Sequence, residues 1–311
     1  MLSLKTARVC LLVLVAACLS AQSPSWIAEL RDLAFAKDLA TAQKLLEAER
    51  PGKGDLTSEW LAGVSWVARG ASFAGQWEIA EKYATEAFEG SQALLKVRSL
   101  DQDRNLETSL GAAIEVLGAV RNAAGDRVGA ADFLRRQREA YRGTPIETRI
   151  QKNFLLLSLE GKPMPALETA QHLGKKPRTA ADLKGKVTLF FFWAHWCGDC
   201  KQQKPILEAL HEKYASRGFT VVGPTRLYGY VARGTDATAE QEMDYLKNAY
   251  QKQNPVPAWM DAPVSTQNFV NFGVSTTPTL VLVDREGIVR LYHPGGLSHE
   301  ELTTRIEELL D

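Results

Sequence analysis

The run Phe190-Phe191-Phe192-Trp193-Ala194-His195-Trp196-Cys197-Gly198-Asp199-Cys200 constrains this chain more than any other stretch. Val187 to Trp193 is rich in strand-forming apolar residues, as in a strand buried on both faces. A helical pattern starts at the cysteines. Two cysteines three residues apart on the first helical turn share one face and come within disulfide reach. The partial positive charge of a helix N-terminus favours a thiolate there. A C-x-x-C pair at a strand-to-helix junction therefore reads as a thiol-disulfide exchange site. The competing reading is zinc, which takes four ligands. Of the four cysteines, Cys10 and Cys18 lie near the N-terminus, the chain has five histidines, and no H-x-x-x-H spacing follows. The ligand count fails, so no metal is expected.

A length of 311 residues accommodates two domains. Lysine plus arginine and aspartate plus glutamate number 37 each, and neither half has a basic surplus. That balance argues against nucleic acid or an anionic membrane surface as a partner.

Residues 1–21 read as an export signal. Lys5 and Arg8 form the positive region, and Val9 to Ala17 an apolar core too short to span a membrane. Two processing routes are open. Val15-Ala16-Ala17-Cys18 resembles a bacterial lipobox, with Cys18 as the lipidated N-terminus. An ordinary cut after Ala21 would place the bulky Leu19 at −3. The lipobox is preferred. Either route leaves Cys197 and Cys200 as the one functional thiol pair, outside the cytosol, where disulfides persist.

Residues 24–160 show three- and four-residue apolar spacing and almost no strand signal. Breaks at Pro51-Gly52, Gly75, Asp101 to Asp103, Gly125-Asp126 and Gly143 to Pro145 predict about six helices. Small residues around Gly75 and Gly125 weakly resemble tetratricopeptide-type helix pairs; an ordinary bundle accounts for them as well. Trp60, Trp66 and Trp77 read as core. From residue 161 to 311 the pattern alternates. A strand ends at Trp193, and a helix from Cys197 to about Arg217 is disturbed at Pro205. A strand covers Phe219 to Val222, and helix Thr238 to Gln253 sits in an insertion over about 227–259. A short helix over Val264 to Phe272 is followed by strands Leu280 to Asp284 and Ile288 to Tyr292. A final helix carries a Ser298-x-x-Glu301 capping box. This order predicts a mixed α/β sheet covered on both faces.

Trp193-Ala194-x-Trp196-Cys197-x-x-Cys200, Pro205 in the first helix, Thr277-Pro278 before a strand, and the Ala181 to Lys186 lead-in together resemble a thioredoxin-fold domain of the extracytoplasmic TlpA-like type. The resemblance covers residues 161–311. The expected fold is thus an α/β thioredoxin-like domain preceded by an all-α domain. The resemblance implies that Cys197 is the nucleophile, nearer the surface, and that Cys200 resolves the mixed disulfide. It implies that Trp196 shields the sulfurs and contacts substrate. Thr277-Pro278 is then a cis-proline loop whose backbone pairs with an extended substrate segment.

The departures are equally informative. Asp199 stands where relatives carry proline. Phe191 replaces a buried aspartate of thioredoxins, and Gln203 a glutamate of TlpA-like proteins. His195 occupies a variable position and is read as an exposed loop histidine with a secondary tuning role. Asp199, a like charge beside the Cys197 thiolate, should raise that thiol's pKa and make the pair a reductant. The insertion rim, with Arg226, Tyr228, Tyr230 and Trp259, either reads a partner or packs on the helical half.

The expected function is an exported thiol-disulfide oxidoreductase, membrane-anchored through Cys18, reducing cysteine-containing exported client proteins. It would draw electrons from a membrane thiol donor and use no metal or organic cofactor. Two alternatives are carried. One is an interaction scaffold whose helical half binds a protein partner. The other is a peroxiredoxin-like peroxidase, disfavoured because Phe190 and Ala194 occupy the proline and threonine positions of the peroxidatic motif.

Overall fold

The computed structural model describes residues 25–52 and 55–311. The signal-peptide and lipobox readings, Cys18 included, lie outside the described residues. The first seven helices are α1 (Ser25–Ala36), α2 (Leu39–Ala48), α3 (Ser58–Phe73), α4 (Trp77–Leu94), α5 (Arg104–Ala123), α6 (Arg127–Ala140) and α7 (Glu147–Ser158). The count exceeds the expected six because one break was hidden in an alanine- and leucine-rich run. Lys37 turns at φ 60°, and Asp38 caps α2 by accepting from the Thr41 N–H at 3.2 Å. Trp60 is buried as expected, whereas Trp77, at the first position of α4, is exposed.

The C-terminal half is a thioredoxin-like α/β fold. Strand β1 (His172–Leu173) later pairs with β4 (Ala262–Pro263) as a small separate ladder. The main sheet contains β2 (Val187–Phe192), β3 (Phe219–Val222), β5 (Thr279–Val283) and β6 (Val289–Pro294), in the order β3-β2-β5-β6. β2 and β3 run parallel, and β5 and β6 are antiparallel additions. Helix α8 (Gly198–Tyr214) follows β2. The insertion carries α9 (Ala239–Tyr245), a π turn (Leu246–Tyr250) and α10 (Gln251–Gln253). Helix α11 (Thr266–Asn271) precedes β5, and α12 (His299–Leu310) closes the chain behind a complete Ser298–Glu301 capping box.

Alternation along β2 sends its side chains into two cores. Leu189 and Phe191 pack with Leu207 and Leu210 of α8 and Ile306 of α12. Phe190 and Phe192 face Phe269 and Phe272 around α11. Helix α7 is shared. Its Ile150 belongs to the helical core, whereas Leu155 and the following Leu159 belong to the sheet core with Phe190 and Phe192. Each such buried leucine contributes about 1.5–3 kcal/mol. Main-chain bonds extend the join: Gly161 N–H donates to Val289 O at 2.8 Å, and Val289 N–H to Lys162 O at 2.9 Å.

Candidate active site

The loop from β2 to α8 is fixed by Trp193. Its Nε1–H donates to Gly223 O at 2.9 Å, and its main-chain oxygen accepts from Thr225 Oγ1 at 2.8 Å. Cys197 then occupies the N-cap of α8. Its Sγ accepts the Cys200 N–H at 3.1 Å, a backbone donor that also favours a thiolate in the reduced state. Cys197 and Cys200 are joined by a disulfide with Cα atoms 5.3 Å apart. Sequence placed Cys197 nearer the surface. In the disulfide form the two are nearly alike, 4% and 3% exposed. Trp196 beside them is 50% exposed and meets the ring of Tyr228 edge-on. Asp199 lies exposed on the first turn of α8.

His195 departs furthest from expectation. It is buried rather than exposed, because the insertion folds back over the motif loop. Rings of Tyr228, Tyr230, Tyr245 and Tyr250 surround it edge-on at 5.7–6.2 Å. Its Nε2 lies 3.4 Å from Oε1 of Glu242, which is fully buried. Burial lowers the His195 pKa, and the attraction of Glu242 offsets this only in part. The Glu242 carboxylate also accepts the Tyr228 N–H at 2.9 Å and the Gly229 N–H at 2.7 Å, so it ties the insertion together.

Glu242 escaped the sequence reading. An acidic residue near the start of a helix ordinarily complements the helix dipole in solvent. The available signal was the density of tyrosines around it. Within the rest of the rim, Trp259 stacks on His211 of α8 at 4.8 Å, and Arg226 lies over Tyr228 at 4.8 Å.

Gln203 is engaged in structure. Its Nε2–H donates to Leu297 O at 3.1 Å and its Oε1 accepts from Leu297 N–H at 3.0 Å, clipping α8 to the loop before α12. Phe191 is likewise core. A cavity of about 10 Å³, close to one water in size, touches Cys200 and is lined by Lys201, Lys204, Trp193 and Tyr250. Burial lowers the Lys204 pKa, and its Nζ donates to Pro255 O at 2.9 Å. Lys204 thus shares this cavity with Cys200, alongside Lys201 and Tyr250. The Thr277–Pro278 bond is cis, and the Thr277 hydroxyl is buried without a partner. Among the described residues, no cluster of three potential ligands suited to a metal forms, and no helix is long and apolar enough to cross a membrane.

The Redoxin family model matches residues 159–308. The thiol:disulfide interchange protein DsbE of Pseudomonas fluorescens biotype C is 30% identical over 156 residues, which cover 49% of this chain and 78% of that protein. The thiol-disulfide oxidoreductase ResA of Bacillus cereus is 26% identical over 157 residues, 50% of this chain and 75% of that protein. A solved thiol:disulfide interchange protein of the thioredoxin family from Chlorobium tepidum aligns at 24% identity. Its TM-score is 0.38, with 48% of this chain and 98% of that one covered.

Proposed function

Because the chain belongs, through its C-terminal half, to the redoxin family of thiol-disulfide oxidoreductases, we propose that it reduces disulfides in other exported proteins with the Cys197–Cys200 pair. The reading rests on two sulfurs bonded at the start of α8, one of them already held by a backbone N–H. In the reduced protein, the Cys197 thiolate attacks a client disulfide. One Cys197–client bond forms, and one client sulfur leaves as a thiolate. The Cys200 thiolate then attacks Cys197 Sγ, the second client sulfur leaves, and the Cys197–Cys200 disulfide closes. Two electrons pass to the client, and a membrane thiol donor restores the dithiol. Trp196 covers the sulfurs and meets the client, and the backbone at Thr277 pairs with its extended segment.

The environment of Cys197 favours the reducing direction. Burial lowers the pKa of His195, two residues before Cys197, and so disfavours its cationic form, against the pull of Glu242. A neighbour whose cationic form is disfavoured stabilises the thiolate less, which shifts the pair toward the disulfide and makes the dithiol the better donor. Residues 1–21 and Cys18 supply export and anchoring in this reading, residues 24–160 the helical domain, and 161–311 the redox domain. A peroxidase is disfavoured, because Ala194 is apolar where peroxide would need a hydroxyl.

Trapping tests the assignment. Cys200→Ser should accumulate mixed disulfides with clients, and Cys197→Ser should accumulate none. Equal trapping by both variants would reverse or remove the roles.

A further inference from the structure

An open cavity of about 530 Å³ lies between the helical half and the segment Val274 to Thr276, which leads into the cis-proline loop. Its floor is a charge cluster drawn from three helices. Glu115 of α5 meets Arg149 at 3.0 Å, Lys152 at 3.3 Å and Arg69 at 3.4 Å. Burial alone would raise the Glu115 pKa, but the three cations outweigh it and hold the carboxyl well below its usual range. One carboxylate therefore faces three cations. Arg226 and Glu107 also line the cavity. The lining thus carries four basic side chains against two acidic ones.

The donors are also undersatisfied. The Arg226 Nε–H is buried without a hydrogen-bond partner, as is the Thr277 hydroxyl next to the cavity wall, and the Arg69 Nε–H has only the long 3.4 Å contact to Glu115. Buried donors normally find acceptors, so a group of this kind marks a place where an acceptor arrives. Phe35, 60% exposed and stacked on Phe73, stands among the lining residues as an apolar surface. The walls are held in place. Gly273, at φ +62°, lies so close to α7 that a Cβ there would fall 2.8 Å from the Lys152 nitrogen, and its carbonyl accepts from Tyr292 Oη at 2.8 Å.

We propose that this cleft binds an acidic, extended segment flanking the reactive cysteine of a client protein, and so selects clients by charge. The proposal rests on the redox reading above and specifies its substrate class. A client strand laid along Thr277 has its neighbouring residues next to Thr276 and Ser275, where the cations lie. Its carboxylates supply the acceptor that Arg226 lacks, and an apolar residue covers Phe35.

The experiment measures kcat/KM for reduction of disulfide-linked peptides that differ only in carrying Glu, Gln or Lys beside the cysteine. With the full mature chain, the Glu peptide should be preferred over the Gln peptide by about tenfold, the size of one charge-assisted contact. The preference should reside in KM and shrink at high salt. Arg226→Gln and Lys152→Gln should each reduce that ratio, and Arg226→Glu should shift preference toward the Lys peptide, a gain that misfolding cannot produce. Equal kcat/KM for the Glu and Gln peptides in the unaltered protein would overturn the proposal, as would a ratio untouched by all three variants. If no peptide is reduced at all, the redox reading fails first and this one with it. Reduction without charge preference leaves the redox reading standing and removes only the cleft.

Discussion

The imidazole of His195 and the carboxylate of Glu242 face each other at 3.4 Å in a pocket that exposes 3% of one side chain and none of the other. The pair joins the motif loop to the insertion.

Its first consequence is a pH dependence. The folded-state pKa of His195 is depressed below the ordinary 6.5 by burial. The unfolded chain therefore binds this proton more readily than the folded one. Stability is fully present above about pH 6.5 and is lost as the pH falls from there through the depressed value. Urea unfolding at descending pH should show this loss in the unaltered protein and a smaller one in His195→Phe. Glu242→Ala also strips the acceptor from two main-chain N–H groups and should cost about 2–6 kcal/mol, from about 1–3 kcal/mol for each buried donor left unpaired. A cost below about 1 kcal/mol would contradict the burial described.

Asp199 was expected to govern the potential. It is exposed, so solvent and salt screen it from Cys197. The reduction potential should lie nearer thioredoxin's value of about −270 mV than the oxidant value of about −120 mV. Asp199→Asn should move it to a less negative value by under about 30 mV, equivalent to 1.4 kcal/mol. Redox titration against glutathione measures both, and a potential near the oxidant value would refute the reducing role.

Gly273→Ala tests the packing of the cis-proline loop on α7. The added methyl meets the Lys152 and Gln151 backbone within 2.9 Å at a left-handed φ, and backbone gives way poorly. A loss of about 1–3 kcal/mol is expected, read as a lower urea midpoint at unchanged m-value.

Anchoring through Cys18 predicts that Cys18→Ala is released from membranes or left unprocessed. Mass spectrometry finding an unmodified N-terminus at Gln22 in the unaltered protein would exclude lipidation.

The redox motif and the succession of strands and helices along the chain were legible because both are local. A buried strand announces itself in Phe190 to Phe192, and a C-x-x-C pair at a helix start has few other uses. His195 and Glu242 were not legible, since each is ordinary in its own segment. Only the return of the insertion over the loop brings 195 and 242 together, and no local pattern encodes that contact. Lys37-Asp38 failed for another reason. A single capping aspartate in a continuous helical pattern gives little weight to a stop. Trp77 was misplaced because helical spacing locates an apolar residue on a face but not at an end, where a side chain can project into water.

The division of α7 between two cores bears on how this protein can be taken apart or shortened. A cut at residue 160 looks natural on the sequence, yet it removes Leu155 and Leu159 and strips part of the cover from one greasy side of the sheet. Such a fragment would be expected to clump during expression, and its inactivity would teach nothing about the helices. A usable catalytic fragment must start upstream of α7, and a graft of this redox module onto another helical scaffold has to carry that helix along as part of the cassette.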